Sequence, residues 1–229
     1  MLARIGRIRP HWRIATALAI NAFLLAVIGC SFWVTDWQYS RPTPRPEGLV
    51  QTPVGSWPAL PAEIAALRRQ NRPLAINFAN AQCPCTEFNL DHLRKLQSKF
   101  KGLVDFVIVL ESHADAEGAS SEFRSLHLDM PVVYDRRGEV SAALGVYGTP
   151  QAAILDTRGR LYFRGNYNRS RYCTGESSEY VRLSLIELAA DRAAPAFPPE
   201  AAITYGCPLR RRNFVPAAQR ETAEEVRWP

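Results

Sequence analysis

Residues 74–88, LAINFANAQCPCTEF, decide the predicted fold. The first five of these residues are apolar except for one asparagine, which is typical of a short buried strand. Residues 87–101 follow with apolar side chains three and four positions apart, and this spacing predicts an amphipathic helix. Cys83 and Cys85 therefore lie between the end of a strand and the start of a helix.

That position suits reactive cysteines. A thiolate beside a helix N-terminus is stabilised, because the unsatisfied N–H groups and the helix dipole favour negative charge there. A second sulfur two positions away can attack or capture a mixed disulfide, and a disulfide within so small a ring is expected to be strained and therefore oxidising. The pattern predicts thiol–disulfide exchange, with Cys83 as the attacking thiolate and Cys85 as the neighbouring resolving thiol.

The middle of the chain alternates between helical and strand-like patterns. The apolar, β-branched run 104–110 predicts a buried strand, and residues 151–155 and 160–163 predict a hairpin across a tight turn. Alternation of this kind predicts an α/β sandwich with a central mixed sheet. A further strand is predicted at 131–134, and helices are predicted at 62–70, 121–126, 139–144 and 177–192.

The N-terminal segment carries most of the net charge. The 229 residues contain 28 Lys and Arg against 22 Asp and Glu, a net charge of +6, and residues 1–13 hold four arginines and no acid. Residues 14–34 carry no charge, and a helix of that length spans about 31 Å, close to the hydrocarbon thickness of a bilayer. Since positive charge stays on the cytoplasmic side, the chain beyond residue 36 is expected outside the cytoplasm. The basic composition thus indicates orientation in a membrane and predicts no nucleic-acid partner.

The predicted organisation is a single-pass protein of a bacterial inner membrane with its C-terminal domain in the periplasm. An alternative is a lipoprotein, because residues 27–30, VIGC, resemble the cleavage site before a lipidated cysteine, which would be Cys30. The apolar run that continues to residue 34 favours the uncleaved anchor. The predicted regions are a basic cytoplasmic tip at 1–13, a transmembrane anchor at 14–36, a proline-rich spacer at 37–60, a globular domain at 61–194 and a C-terminal tail with Cys207 at 195–229.

The run INFANAQCPC and the helix after it resemble the active-site segment of the thioredoxin superfamily, in which a strand ending in phenylalanine precedes Cys-x-x-Cys and a helix. The run YGTP at 147–150 resembles the Thr-Pro loop of that superfamily, whose proline is usually cis and faces the cysteines. The resemblance covers roughly residues 61–192 and is greatest to membrane-anchored, extracytoplasmic redoxin-like proteins with a Cys-Pro-Cys motif. It implies a thioredoxin-like fold, a substrate groove shaped by Thr149 and Pro150, protein thiols or disulfides as substrates, an unidentified redox partner and no cofactor.

The sequence departs from that superfamily at three points. The cysteines are one position closer together than in Cys-x-x-Cys, Gln82 replaces the usual tryptophan, and Asn77 stands where a buried carboxylate is found. An amide cannot accept a proton from the second thiol. These departures argue against fast, general disulfide reduction.

Cys173 and Cys207 complete an even set of four cysteines beyond the anchor, and sequence alone leaves three pairings of the four. We favour a structural Cys173–Cys207 disulfide that fixes the C-terminal tail to the domain. In the alternative, one of these two cysteines is a resolving partner for Cys83 or Cys85.

Two other functions remain alternatives on the same fold. Thiolates spaced as Cys83 and Cys85 suit Cu(I), and a histidine would complete the site of a copper metallochaperone. His113, which follows the strand 104–110, is the candidate third ligand, whereas His92 is expected to point along a different helix face from the sulfurs. The last alternative is a redox-inactive interaction module whose cysteines are all in structural bonds.

Overall fold

The computed structural model describes residues 10–37, 41–169 and 175–209, and the chain divides into two compact units, Met1–Arg41 and Pro42–Pro229. In the first unit the structure describes helix α1, Pro10–Thr35. Its segment His11–Thr35 is long and apolar enough to cross a membrane, with a mean hydropathy of 2.1 over its most apolar window. The Trp33 and Trp37 rings stack near its C-terminal end, with their centroids 6.1 Å apart.

The second unit is built on a five-stranded sheet in the order β3-β2-β1-β5-β6. Strand β1 pairs in parallel with β2 and antiparallel with β5, while β3 is parallel to β2 and β6 is antiparallel to β5. The predicted mixed sheet is therefore confirmed. The strands are β1 Leu74–Ala79, β2 Asp105–Leu110, β3 Val132–Tyr134, β5 Gln151–Leu155 and β6 Leu161–Gly165, and β4, described below, is Gly148–Thr149.

Helices cover both faces of this sheet. The alternation of side chains along β1 sends Ala75 and Ala79 to one core and Leu74, Ile76 and Phe78 to the other. The helices are α2 Ala62–Leu67, α3 Pro84–Lys99, α4 Ala116–Ser125, α5 Glu139–Leu144 and α6 Tyr180–Ala189, with short 3₁₀ turns at Glu176–Ser178 and Pro199–Ala201. Helices α3 and α6 pack on the first face, through Leu93, Leu96, Val181 and Leu185, and α2 and α5 pack on the second, through Ile64, Val140 and Leu144.

Two helices begin earlier than the periodicity predicts. Helix α3 starts at Pro84, because proline fits the first position of a helix, where its missing N–H has no intrahelical acceptor. Helix α4 starts at Ala116, because the Asp115 side chain accepts a hydrogen bond from the Gly118 N–H at 2.8 Å and caps the N-terminus. The spacing of apolar residues identifies neither start, since one depends on a proline at the first helical position and the other on an N-cap side chain.

Segments outside the predicted limits 61–194 also pack on the domain. The Thr43 N–H donates to the Thr204 carbonyl at 2.8 Å, and the Leu161 N–H donates to the Ser56 carbonyl at the same distance. Strand β7, Cys207–Pro208, pairs antiparallel with β4. Part of the predicted spacer and the start of the predicted tail thus belong to the described fold.

Candidate thiol–disulfide site

Cys83 lies at the N-cap of α3, four residues beyond the end of β1. Asn80 folds the connecting loop: its carbonyl accepts from the Cys83 N–H at 3.0 Å, and its side-chain Oδ1 accepts from the Gln82 N–H at 2.8 Å. The Asn80 amide in turn donates to Oε2 of the buried Glu111 at 2.9 Å, at the end of β2. These bonds hold the Cys83 sulfur at the start of the helix.

Cys83 forms a disulfide with Cys207, and their Cα atoms are 6.0 Å apart. This pairing differs from the Cys173–Cys207 disulfide favoured on sequence, and it is one of the pairings in the stated alternative. Its physical basis is the pairing of β7 with β4, which brings the tail cysteine to the start of α3. Cys173 lies outside the described residues. Cys83 is 3% exposed, whereas Cys207 is half-buried.

The Thr-Pro loop lies against this disulfide. The Thr149–Pro150 peptide bond is cis, and the Thr149 carbonyl oxygen is 3.8 Å from Cys83 Sγ. Thr149 also faces Cys207 directly in the β4–β7 register. The Thr149 hydroxyl is buried and has no hydrogen-bond partner among the described residues. The structure thus brings together Cys83, Thr149 and Pro150, as the resemblance implies, and adds Cys207 to them.

The tail is held on β4 by contacts that do not involve sulfur. The Thr43 hydroxyl donates to the Gly206 carbonyl at 3.0 Å, and the Leu209 N–H donates to the Tyr147 carbonyl at 3.0 Å. Gly206 has a φ of 135°, and a Cβ at this position would lie 2.2 Å from the Thr149 carbonyl oxygen. The residue before Cys207 must therefore be glycine for the tail to approach the Thr-Pro loop this closely.

Cys85 lies at the second position of α3 and is fully buried. Asn77, on the strand before it, is also fully buried. Its amide donates to the Ala75 and Val107 carbonyls, both at 3.0 Å, and its Oδ1 accepts from the Tyr167 hydroxyl at 2.6 Å. The Asn77 side chain is thus fully used in structural bonds, and it cannot take a proton from a thiol.

The structure corrects the expected direction of His92. Seven residues are nearly two full helical turns, so His92 lies on the same face of α3 as Cys85, and both are buried. Its Nδ1 is 3.6 Å from Glu179 Oε1. Burial lowers the pKa of His92 below its usual value; Glu179 opposes this shift, and the positive charges of Arg182 and Lys95 add to it. The ring therefore favours the neutral state in the folded protein.

His113, the candidate third copper ligand, is partly exposed, and its Nε2 is 3.3 Å from Glu111 Oε1. Within residues 10–37, 41–169 and 175–209, no group of three or more histidine, cysteine, aspartate or glutamate side chains is arranged to hold a metal ion. With Cys83 bonded to Cys207, the described site presents a disulfide and not a pair of thiolates for Cu(I).

Sequence reasoning favoured Cys173–Cys207 and kept Cys83–Cys207 only as an alternative, although the glycine and proline that flank Cys207 in YGCPL indicate a constrained backbone around that cysteine. It also did not assign a role to Asn80, whose position just after an apolar strand is typical of a turn.

The sheet order, the helices on both faces, and a cysteine at the start of α3 beside a cis-proline define a thioredoxin-like fold. Within this class, the chain belongs to the family described as Domain of unknown function (DUF6436), which matches residues 56–208.

The chain is similar to several solved structures. A hypothetical protein of Sinorhizobium meliloti is 17% identical with a TM-score of 0.58, and the match covers 72% of this chain and 98% of that protein. An uncharacterized conserved protein of Geobacillus kaustophilus is 21% identical with a TM-score of 0.54, over 76% of this chain and 96% of that one. A thioredoxin-like protein in the oxidized form is 15% identical with a TM-score of 0.46, over 66% of this chain and 97% of that protein.

Proposed function

We propose that this protein is a membrane-tethered thiol–disulfide oxidoreductase that acts on protein thiols or disulfides outside the cytoplasm. The observation that carries the proposal is the Cys83–Cys207 disulfide, formed at the N-terminus of α3 against the cis Thr149–Pro150 bond. Exchange at this disulfide is reversible. A partner dithiol loses two electrons and two protons and becomes a disulfide. The Cys83–Cys207 disulfide takes up these electrons and protons and is reduced to two thiols.

Each cysteine has a stated part in this proposal. Cys83 is the reactive sulfur, because the helix N-terminus stabilises its thiolate. Cys207 is its disulfide partner. Cys85 remains the proposed resolving thiol for a bond made to Cys83, and its burial in the first turn of α3 restricts that attack to the interior of the domain.

The tether in this proposal is α1. Its helix runs without a break through Cys30 to Thr35, which supports an intact anchor over cleavage before Cys30. The four arginines within residues 1–13 favour a cytoplasmic N-terminus. In spheroplasts, a membrane-impermeant reagent that labels cysteines after reduction should then reach Cys207. Labelling only after the inner membrane is permeabilised would contradict the proposed topology.

The redox activity is tested with the full chain in detergent micelles. The protein is equilibrated in glutathione buffers of different potentials, the free thiols are alkylated, and the cysteine-containing peptides are identified by mass spectrometry. Cys83 and Cys207 should change state together in one two-electron transition, and Cys83→Ser or Cys207→Ser should abolish it.

Cys30→Ser is the matched control, because Cys30 lies in the other compact unit and should leave the transition unchanged. A Cys83–Cys207 disulfide that exchanges only after the chain is unfolded would overturn the proposal, and a structural role would then remain for it.

A further inference from the structure

We infer that an incoming thiolate attacks Cys207, and that the mixed disulfide with the partner forms on this sulfur while Cys83 leaves. This inference rests on the proposed function and specifies how the same disulfide opens. It makes Cys207 a catalytic residue and gives Cys83 the role of leaving group in the opening step.

Access distinguishes the two sulfurs. Cys83 is almost completely buried, between the first turn of α3 and the carbonyl oxygen of Thr149 at 3.8 Å. Cys207 is half-buried, with half-buried Gly206 before it and exposed Pro208 after it. Exchange requires the attacking thiolate to reach a sulfur atom, and Cys207 is the less buried residue of the pair.

Leaving-group chemistry favours the same direction. The sulfur with the more stable thiolate leaves faster, and a thiolate at the N-terminus of the 16-residue helix α3 is stabilised by the helix dipole. The N-cap side chain of a helix normally accepts a hydrogen bond from a backbone N–H two or three positions later. Among the described residues, the Cys83 side chain accepts no such hydrogen bond while it is in the disulfide. The thiolate that is released when the disulfide opens can accept this capping hydrogen bond.

The bonds and electrons balance over two steps. In the first, a partner thiolate forms a bond to Cys207 Sγ, the Cys83–Cys207 bond breaks, and its electron pair stays on Cys83. In the second, another thiol of the same partner attacks the partner sulfur of the mixed disulfide and releases Cys207. The partner becomes a disulfide, and Cys83 and Cys207 take up two protons from the two partner thiols.

The tail keeps Cys207 in place during these steps. The bonds from Thr43 to Gly206 and from Leu209 to Tyr147 do not depend on the disulfide, and Leu209 is buried in the second core. Since β4 pairs with one edge of β7, and Pro42 and Thr43 contact Tyr205 and Gly206, the partner approaches the exposed end of the tail turn, at Cys207 and Pro208. The proposed contact surface is therefore the tail turn around Cys207.

A short reaction with reduced glutathione tests the inference. The oxidised full chain in detergent receives excess glutathione, samples are quenched with acid at successive times, and remaining thiols are alkylated before peptide mapping. At the earliest times glutathione should be on the Cys207 peptide and the alkylating label on Cys83, with Cys207 adducts exceeding Cys83 adducts by about tenfold or more. The Cys30→Ser variant removes adducts on the remote thiol and should give the same ratio.

Each other outcome identifies what has failed. Early glutathione on Cys83, with label on Cys207, would overturn this inference and leave the proposed exchange function intact. A disulfide that glutathione opens in urea but not in the native chain would overturn the proposed function, and this inference with it. Equal adducts on both sulfurs at the earliest time would also contradict the inference, because they would mean that access does not select the attacked sulfur.

Discussion

At the scale of single residues, Asn77 shows why this site differs from a thioredoxin that uses a buried carboxylate. The carbonyl oxygens of Ala75 and Val107 accept hydrogen bonds from the Asn77 amide, and the Tyr167 hydroxyl supplies a hydrogen to its amide oxygen. A carboxylate here would place a negatively charged oxygen against both carbonyl oxygens in a fully buried site. The surroundings therefore fit an amide and exclude a charged group.

Asn77→Asp should accordingly destabilise the protein by about 3 kcal/mol or more, because it buries a charge against two carbonyl oxygens and removes the two amide hydrogen bonds to them. The loss should shrink as the pH falls and the new carboxyl group takes up a proton. Urea unfolding of the full chain at two pH values measures both effects. Asn71→Asp, at an exposed turn, is the control and should change stability by no more than about 0.5 kcal/mol. Equal stabilities for the two variants would contradict this account of Asn77.

His92 gives the domain a pH dependence of known sign. Because burial lowers the pKa of His92 in the folded protein, the unfolded chain takes up its proton at a higher pH. This contribution to stability is fully present above the ordinary histidine pKa of about 6.5 and is lost as the pH falls towards the folded pKa. His92→Gln should therefore reduce the loss of unfolding free energy between about pH 7.5 and about pH 5. An unchanged pH profile would show that the His92 ring is not the group responsible.

At the scale of elements, the β4–β7 pair depends on one glycine. A Cβ at Gly206 would overlap the Thr149 carbonyl oxygen, so Gly206→Ala should push the tail from β4 and weaken the Cys83–Cys207 bond. In glutathione buffers the equilibrium constant for forming this disulfide should fall by about tenfold or more. Gly102→Ala is the matched control, because Gly102 also has a positive φ but has open space around its Cβ position. The control should cost about 1 kcal/mol of stability without changing the disulfide equilibrium.

The predictability of the elements follows how clearly their hydrophobic pattern shows. Strands β1 and β2 and helix α3 carry enough residues for hydrophobic periodicity to show, and the sequence predicts them within a few residues. Strands β4 and β7 are only two residues long, and two residues are too few for a pattern of apolar side chains to predict a strand. Cys83 could be placed because it follows a periodic strand, whereas Cys207 could not be paired because its position depends on the short β4–β7 pair.

At the scale of the whole molecule, the sheet brings the reactive groups to one edge. The residues after β1 lead to Cys83, and the antiparallel β5 begins opposite the end of β1, with Gln151 facing Phe78. A proline just before β5 must therefore lie near the start of α3. This juxtaposition follows from the order of the strands in the sheet. The arrival of the tail does not, because residues 195–206 contain no long periodic element that predicts their path.

The tail crosslink also joins distant parts of the chain. Cys83 and Cys207 are 124 positions apart, so their disulfide removes a large amount of conformational entropy from the unfolded chain. Reduction, or Cys207→Ser, should lower the free energy of unfolding by about 2–4 kcal/mol. The native tail contacts through Thr43 and Leu209 should persist, because they do not depend on sulfur.

Urea unfolding of the full chain in detergent, followed by circular dichroism with and without reductant, measures this difference. Cys30→Ser lies outside the closed loop, so its oxidised and reduced forms should differ by the same amount as those of the unmodified chain. Cys207→Ser should show no difference between the two conditions. If oxidised and reduced forms of the unmodified chain unfold at the same urea concentration, the crosslink does not constrain the unfolded chain. The disulfide could then open and close without a change in stability, and only the local contacts around β4 would hold the tail.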